Sequence, residues 1–196
     1  SEYVQDEKRA QEYGSDASVI DASNWHKADA EFTSIKKRQR INLINDLFTQ
    51  EVEKAQEATI ERLNEEMAKA NTIGEKLRLA KVIKNMRPFV IIKQERPLKL
   101  FDRVKAVFED WLYLAANDKQ ALIDRELANM ENTREAKLPL PVRKNLAENR
   151  VNYQIEAHKQ ILDNWNDLVV DAANTYSYDH AVIMDVTPNV NNVEED

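Results

Sequence analysis

The stretch "NMRPFVIIKQERPLKLFDRVKAVFEDW", residues 85–111, sets Pro88 and Pro97 on either side of a short β-branched run, in a chain that otherwise reads as one helix after another. The fold turns on whether this stretch is a buried strand, a membrane-dipping segment, a binding site or a rigid elbow between helical arms. Proline disfavours α geometry in the residue before it, so Arg87 and Arg96 are expected to be extended and the preceding helix to stop near residue 86 or 87. Pro97 suits the first helical position, where its missing N–H costs nothing, and should open the next helix. Between them, "FVIIKQE" is too short to stand alone as a sheet. It is expected to form an extended elbow, with Phe89, Ile91 or Val90, and Ile92 filling the joint. The alternative is an edge strand completed by another chain or by the segment near residues 181–186.

Working outward, the pattern is helical on both sides. Phe32, Ile35, Ile44, Leu47, Phe48, Val52, Ala55, Leu63, Met67 and Ala70 recur mostly at three- and four-residue steps and predict one helix over about 31–71. At 1.5 Å per residue such a helix spans on the order of 60 Å. Asn71 to Gly74 reads as a stop, and Thr72 with Glu75 has capping-box spacing. A second helix over 73–87 follows, with Leu77, Ala80 or Leu79, Ile83, and Met86 or Arg87 as its apolar side and Lys81, Lys84 and Arg87 along a basic one. Beyond the elbow, Phe101, Val104, Phe108, Trp111, Leu112, Ala115, Leu122 and Met130 predict a helix over 98–135, ended by "LPLP" at 138–141. Val142, Leu146, Arg150, Tyr153, Ala157, Ile161, Trp165, Leu168 and Ala172 then give the most regular stripe in the chain, and predict a helix over 142–174. Val151, Ile155, Leu162 and Val169 widen it, as suits a helix with more than one packing partner.

Residues 1–24 and 175–196 lack sustained periodicity and are expected to be extended acidic arms, with Val19 and Ile20 as a possible anchor in the first. The net charge of −7 is uneven: residues 1–33 carry eight acids and three bases, residues 171–196 carry six acids and no Lys or Arg, and residues 34–170 are left at +4. An acidic tail aids solubility or docks on a basic surface. The fold class expected is therefore all-α: elongated antiparallel long helices in a coiled-coil-like bundle, with a proline-bounded elbow and extended acidic tails. With only two glycines, Gly14 and Gly74, the turns of a sandwich or barrel and the phosphate turn of a doubly wound fold are hard to build.

The search for chemistry excludes more than it finds. The absence of cysteine rules out disulfides, thiolate zinc sites, iron–sulfur clusters and a cysteine nucleophile. Ser23, Ile155 and Ser177 stand three residues before His26, His158 and His180, so no Glu-x-x-His ligand pair exists, and no two histidines have helix-borne zinc spacing. Each histidine is expected at a surface or interface. No cofactor, metal or catalytic residue is expected, and the chain is read as not an enzyme. The basic residues "KKRQR" at 36–40, with Lys81, Lys84, Arg87, Arg96, Lys99, Arg103 and Lys105, could bind phosphate backbones by counterion release. Acids interleave with them, and no recognition motif accompanies them. Apolar runs are far shorter than the ~18–20 residues that span a bilayer.

The consecutive large side chains Trp111, Leu112, Tyr113 and Leu114 point around a full helical turn, so one buried face cannot cover them all. Some should meet another chain or a third helix. Together with Tyr153, Ile161 and Trp165 they form the expected partner-binding set. "RVNYQIEAHKQILDNW", residues 150–165, resembles the segment that follows the long helix in mitochondrial peripheral-stalk b subunits, where an Arg-apolar-Asp-Tyr stretch precedes an Asn-Trp. The resemblance covers less than a tenth of the chain and departs from that family in spacing. It illustrates a stator role, and identifies no family. The expected function is a non-enzymatic scaffold or stator-type subunit packed along other proteins of a large assembly, self-association included. The alternative is a nucleic-acid-binding or packaging accessory. Compartment stays open: intracellular, and mitochondrial if a targeting segment once preceded Ser1.

Overall fold

The computed structural model describes the backbone of residues 22–186 and the side chains from Lys36 to Val186. The arm expected at 1–24, except for the backbone of 22–24, and residues 187–196 of the arm expected at 175–196 lie outside the described residues, as do Val19, Ile20 and the side chains of His26, Phe32 and Ile35. Among the described residues the chain is all-α, in order α1 (Ala22–Lys69), α2 (Ile73–Lys84), α3 (Pro88–Glu95), α4 (Pro97–Asn117), α5 (Lys119–Met130), a 3-10 turn (Arg134–Lys137), α6 (Leu140–Asp163) and α7 (Trp165–His180). The chain divides into two compact units, residues 1–43 and residues 44–196. In the first, the described part is the opening of α1. All that follows concerns the second.

Short side chains and prolines set the helix boundaries. Thr72 has extended backbone and its hydroxyl accepts from the Glu75 N–H at 3.2 Å, so α2 starts where the capping spacing places it. Pro88 and Pro97 occupy the first turns of α3 and α4, and Pro141 that of α6. Two helix breaks fall where none was expected. The Asp118 carboxylate accepts from the Ala121 N–H at 3.2 Å and starts α5, dividing the helix expected over 98–135. Asn164 leaves α geometry (φ −113°, ψ 25°) and separates α6 from α7. The last helix then runs past residue 174 to His180, so that Tyr176 belongs to the core and not to a tail.

The expected extended elbow is instead the two-turn helix α3. Arg87 is extended as the following proline requires (φ −118°, ψ 143°), whereas Arg96, expected to be extended too, departs from this with φ 57° and ψ 120°. The constraint acts on the residue before each proline and leaves the residues between free. Pro88 at the first helical position then favours a helix, and burial of Ile91 and Ile92 outweighs the few tenths of a kcal/mol that β-branching costs per residue. Neither 89–92 nor 181–186 is a strand, so the pairing considered between them does not form.

The core is built around α4. Its buried Leu100, Phe101, Val104, Phe108 and Ala115 recur at helical steps and face three neighbours. Phe101 stacks on Phe48 of α1 with ring centroids 4.1 Å apart. Phe48 also meets Tyr176 of α7 edge-on at 4.9 Å. On the other side, Ala115 joins Leu122 of α5 and Val151 of α6 in a cluster against which Trp111, Leu114, Ile123 and Ile155 pack. The face of α6 that packs is Ala147, Val151, half-buried Ile155 and His158, then Ile161. This face is rotated from the row through Val142, Leu146, Arg150 and Tyr153 that the regular stripe implied. Those four residues stay at least partly exposed, and the expected stripe becomes core only from Ile161 onward. In the same way α2 buries Leu79, with Ile83 half-buried, and leaves Leu77 and Ala80 outside.

Helix α7 ends at Ala181, a non-glycine residue in the left-handed region (φ 51°, ψ 40°). An L-residue there carries a Cβ clash worth roughly 1–2 kcal/mol. Ala181→Gly should therefore raise stability by about 0.5–1 kcal/mol after the entropy of glycine is subtracted, read as a higher midpoint in urea unfolding. A lower midpoint would show that the helix does not end in this conformation.

Candidate functional site

The residues expected to contact partners separate into two groups. Ile161 and Trp165 are buried in the chain's own core, where the Trp165 indole meets the Phe108 ring edge-on at 6.1 Å. Trp111, Leu112 and Leu114 are half-buried. Tyr113 and Tyr153, by contrast, are 73% and 60% exposed. The run at 111–114 thus finds most of its cover within the chain, because α4 packs against both α5 and α6.

His158 occupies a place that the sequence did not indicate. Its ring lies against the edges of Trp111 (4.2 Å) and Phe108 (5.1 Å), and its Nδ1 is buried without a hydrogen-bond partner. Burial lowers its pKa to about 4. His180 is different: it stacks on Tyr176 at 3.9 Å and Nδ1 donates to the Tyr176 carbonyl oxygen at 3.0 Å.

Two surface features remain after the core is accounted for. The first is the outer side of α2. Ile73, Leu77, Ala80 and Lys84 follow one another at steps of four, three and four and so share a face, and Ile73 and Leu77 are 78% and 66% exposed. Large aliphatic side chains so exposed and so close together are what contact surfaces are made of. Sequence reasoning had assigned Leu77 to the apolar side but could not tell which of two adjoining apolar rows would be covered.

The second is a cleft of about 430 Å³ formed by α1, α2 and α3. Leu63, Val82, Met86 and Val90 give it apolar walls, and Arg62, Arg78 and Lys81 give it cations. Thr59, Asn85 and Gln94 complete the lining, which contains no carboxylate. Arg78 is paired with Glu75 at 2.9 Å. Arg62 and Lys81 form no ion pair among the described residues. Charge and apolar surface together suit a ligand that carries both carboxylates and small apolar groups.

Among the described residues no group of three His, Asp or Glu side chains could hold a metal ion, and no helix is long and apolar enough to cross a membrane. Comparison with protein-family models, curated proteins and solved structures finds no match to this chain.

The buried imidazole has a thermodynamic consequence. Between pH about 6.5 and about 4 the unfolded chain binds a proton at His158 that the folded chain does not, so stability falls as pH falls through that window. The contribution of the histidine is isolated by difference. His158→Phe should show a shallower loss of melting temperature between pH 7 and pH 4 than the native chain. Parallel curves would mean that the ring is solvated.

Proposed function

We propose that this protein is a non-enzymatic structural subunit, a scaffold or stator-type element that packs along other proteins in a large assembly. The observation that carries the reading is the outer face of α2, where Ile73 and Leu77 stand in solvent although burying such side chains is worth about 1.5–3 kcal/mol each. Lys76, Lys81 and Lys84 lie along the same helix, so the surface fits a partner that is apolar at the centre of the contact and acidic at its rim. Tyr113 and Tyr153 add two exposed aromatic groups of the kind that anchor protein contacts. The elongated, coiled-coil-like arrangement expected from the sequence belongs to this proposal and suits a subunit that runs along its neighbours.

A nucleic-acid accessory is the second reading, and the cations Arg62 and Lys81 in a lining without carboxylates favour it. Salt separates the two readings. Binding to phosphate backbones weakens steeply with salt through counterion release, whereas an apolar contact does not.

The test is the native complex. Ile73→Asp with Leu77→Asp, both at exposed positions, should leave the melting temperature within error of the native chain. It should remove the subunits that co-purify with the native chain in fixed stoichiometry. Undiminished co-purification would displace the contact from α2. Retention of the native chain on DNA or heparin at physiological salt, with no stoichiometric protein partner, would favour the second reading.

A further inference from the structure

The cleft continues the groove that α7 fills. Asn45 Nδ2 donates to the Ala172 carbonyl oxygen at 3.0 Å, and one turn further along both helices Phe48 meets Tyr176 at 4.9 Å. Helices α1 and α7 therefore run parallel here. Leu63 lies eighteen residues beyond Asn45, which is five full turns at 3.6 residues each, so it stands on the same face of α1. Helix α7 covers that face and then stops at His180. The continuation of that face beyond α7, at Thr59 and Leu63, forms one wall of the cleft.

We propose that the cleft is the docking site of the chain's own acidic C-terminal segment, residues 187–196. Reach allows it. The next turn of α1 beyond the Tyr176 contact is at Val52 and Glu53, and ten residues of helix from there to Leu63 rise about 15 Å. The six residues from Ala181 to Val186 can extend to about 20 Å, and Val186 is itself buried, which fixes the starting point on the body of the protein. Chemistry favours it too. The segment reads "TPNVNNVEED": Val190 and Val193 match the apolar walls at Leu63, Val82 and Val90, and Glu194, Glu195 and Asp196 match Arg62 and Lys81. Being tethered, the segment needs little intrinsic affinity, because the effective concentration of a short linked ligand is of order millimolar. The cleft shares Lys81 with the rim of the partner surface on α2, whereas Ile73 and Leu77, which carry that contact, lie outside it.

The experiment uses the full chain, whose lack of cysteine allows selective spin labelling. Gln94→Cys in the cleft and Asn191→Cys in the segment are labelled, and the distance between them is measured by pulsed electron–electron resonance. A narrow short-distance population is expected. Glu194→Lys with Glu195→Lys and Asp196→Lys, which cannot disturb the described core, should reduce that population about fivefold or more. Adding Arg62→Glu and Lys81→Glu to the reversed segment should restore it. A broad long-distance distribution in the unreversed chain would overturn the proposal and leave the cleft to a separate partner. So would a short distance that ignores charge reversal, or one that appears only when two singly labelled chains are mixed, which would identify a second copy as the occupant.

Discussion

Three aromatic rings join parts of the chain that are far apart in sequence. Phe48, Phe101 and Tyr176 come from α1, α4 and α7, and their stacked and edge-on contacts lie at 4.1 and 4.9 Å. The packing of α3 on α4, α4 on α5 and α6, and α6 on α7 involves helices that follow one another closely. Such contacts form with little loop-closure cost. The junction at Phe48 is different, because it ties residues separated by more than fifty positions on one side and more than a hundred on the other. Asn45, one turn earlier on α1, hydrogen-bonds across to Ala172 of α7 and fixes the register.

Much of this was legible in the sequence, for a physical reason: one amphipathic face per helix produces a period. Phe101, Val104, Phe108, Ala115, Leu122 and Met130 were read as apolar face, and all are buried. What periodicity does not carry is the location of a break made by one polar side chain. Asp118 divides a continuous apolar pattern by accepting from a backbone N–H three residues on. Between α6 and α7 Asn164 acts differently: it leaves α geometry, and its Nδ2 donates back to the Gln160 carbonyl oxygen at 3.0 Å. Averaging across Asn164 conceals a change of phase, which hides Ala147 and His158 and puts Tyr153 on the apparent packed row. The proline-bounded run is helical and not extended because the pre-proline restriction acts on one residue and leaves 89–95 free.

The surface was less legible still. A stripe of apolar residues says that a face is covered but not by what. Ile161 and Trp165 proved to be covered by the chain itself, whereas Ile73 and Leu77 are left open. Nor could the cleft be read, since Arg62 comes from α1 and Lys81 from α2 and they line one cavity only after the turn at Asn71 and Thr72 reverses the chain. The uneven charge was visible from the start. Its counterpart, a cavity with cations and no carboxylate, needed the fold.

The central claim is that the ring junction couples α1 to the rest of the bundle, and a double-mutant cycle measures that coupling directly. Phe48→Leu, Phe101→Leu and the double variant are unfolded in urea, and the interaction energy is taken from the three differences. The stacked pair should contribute about 0.5–1.5 kcal/mol beyond simple burial, so the double variant should be less destabilised than the sum of the single ones by that amount. Effects that add to within about 0.3–0.5 kcal/mol, as they do for distant sites, would mean that the rings do not touch and that α1 is held some other way.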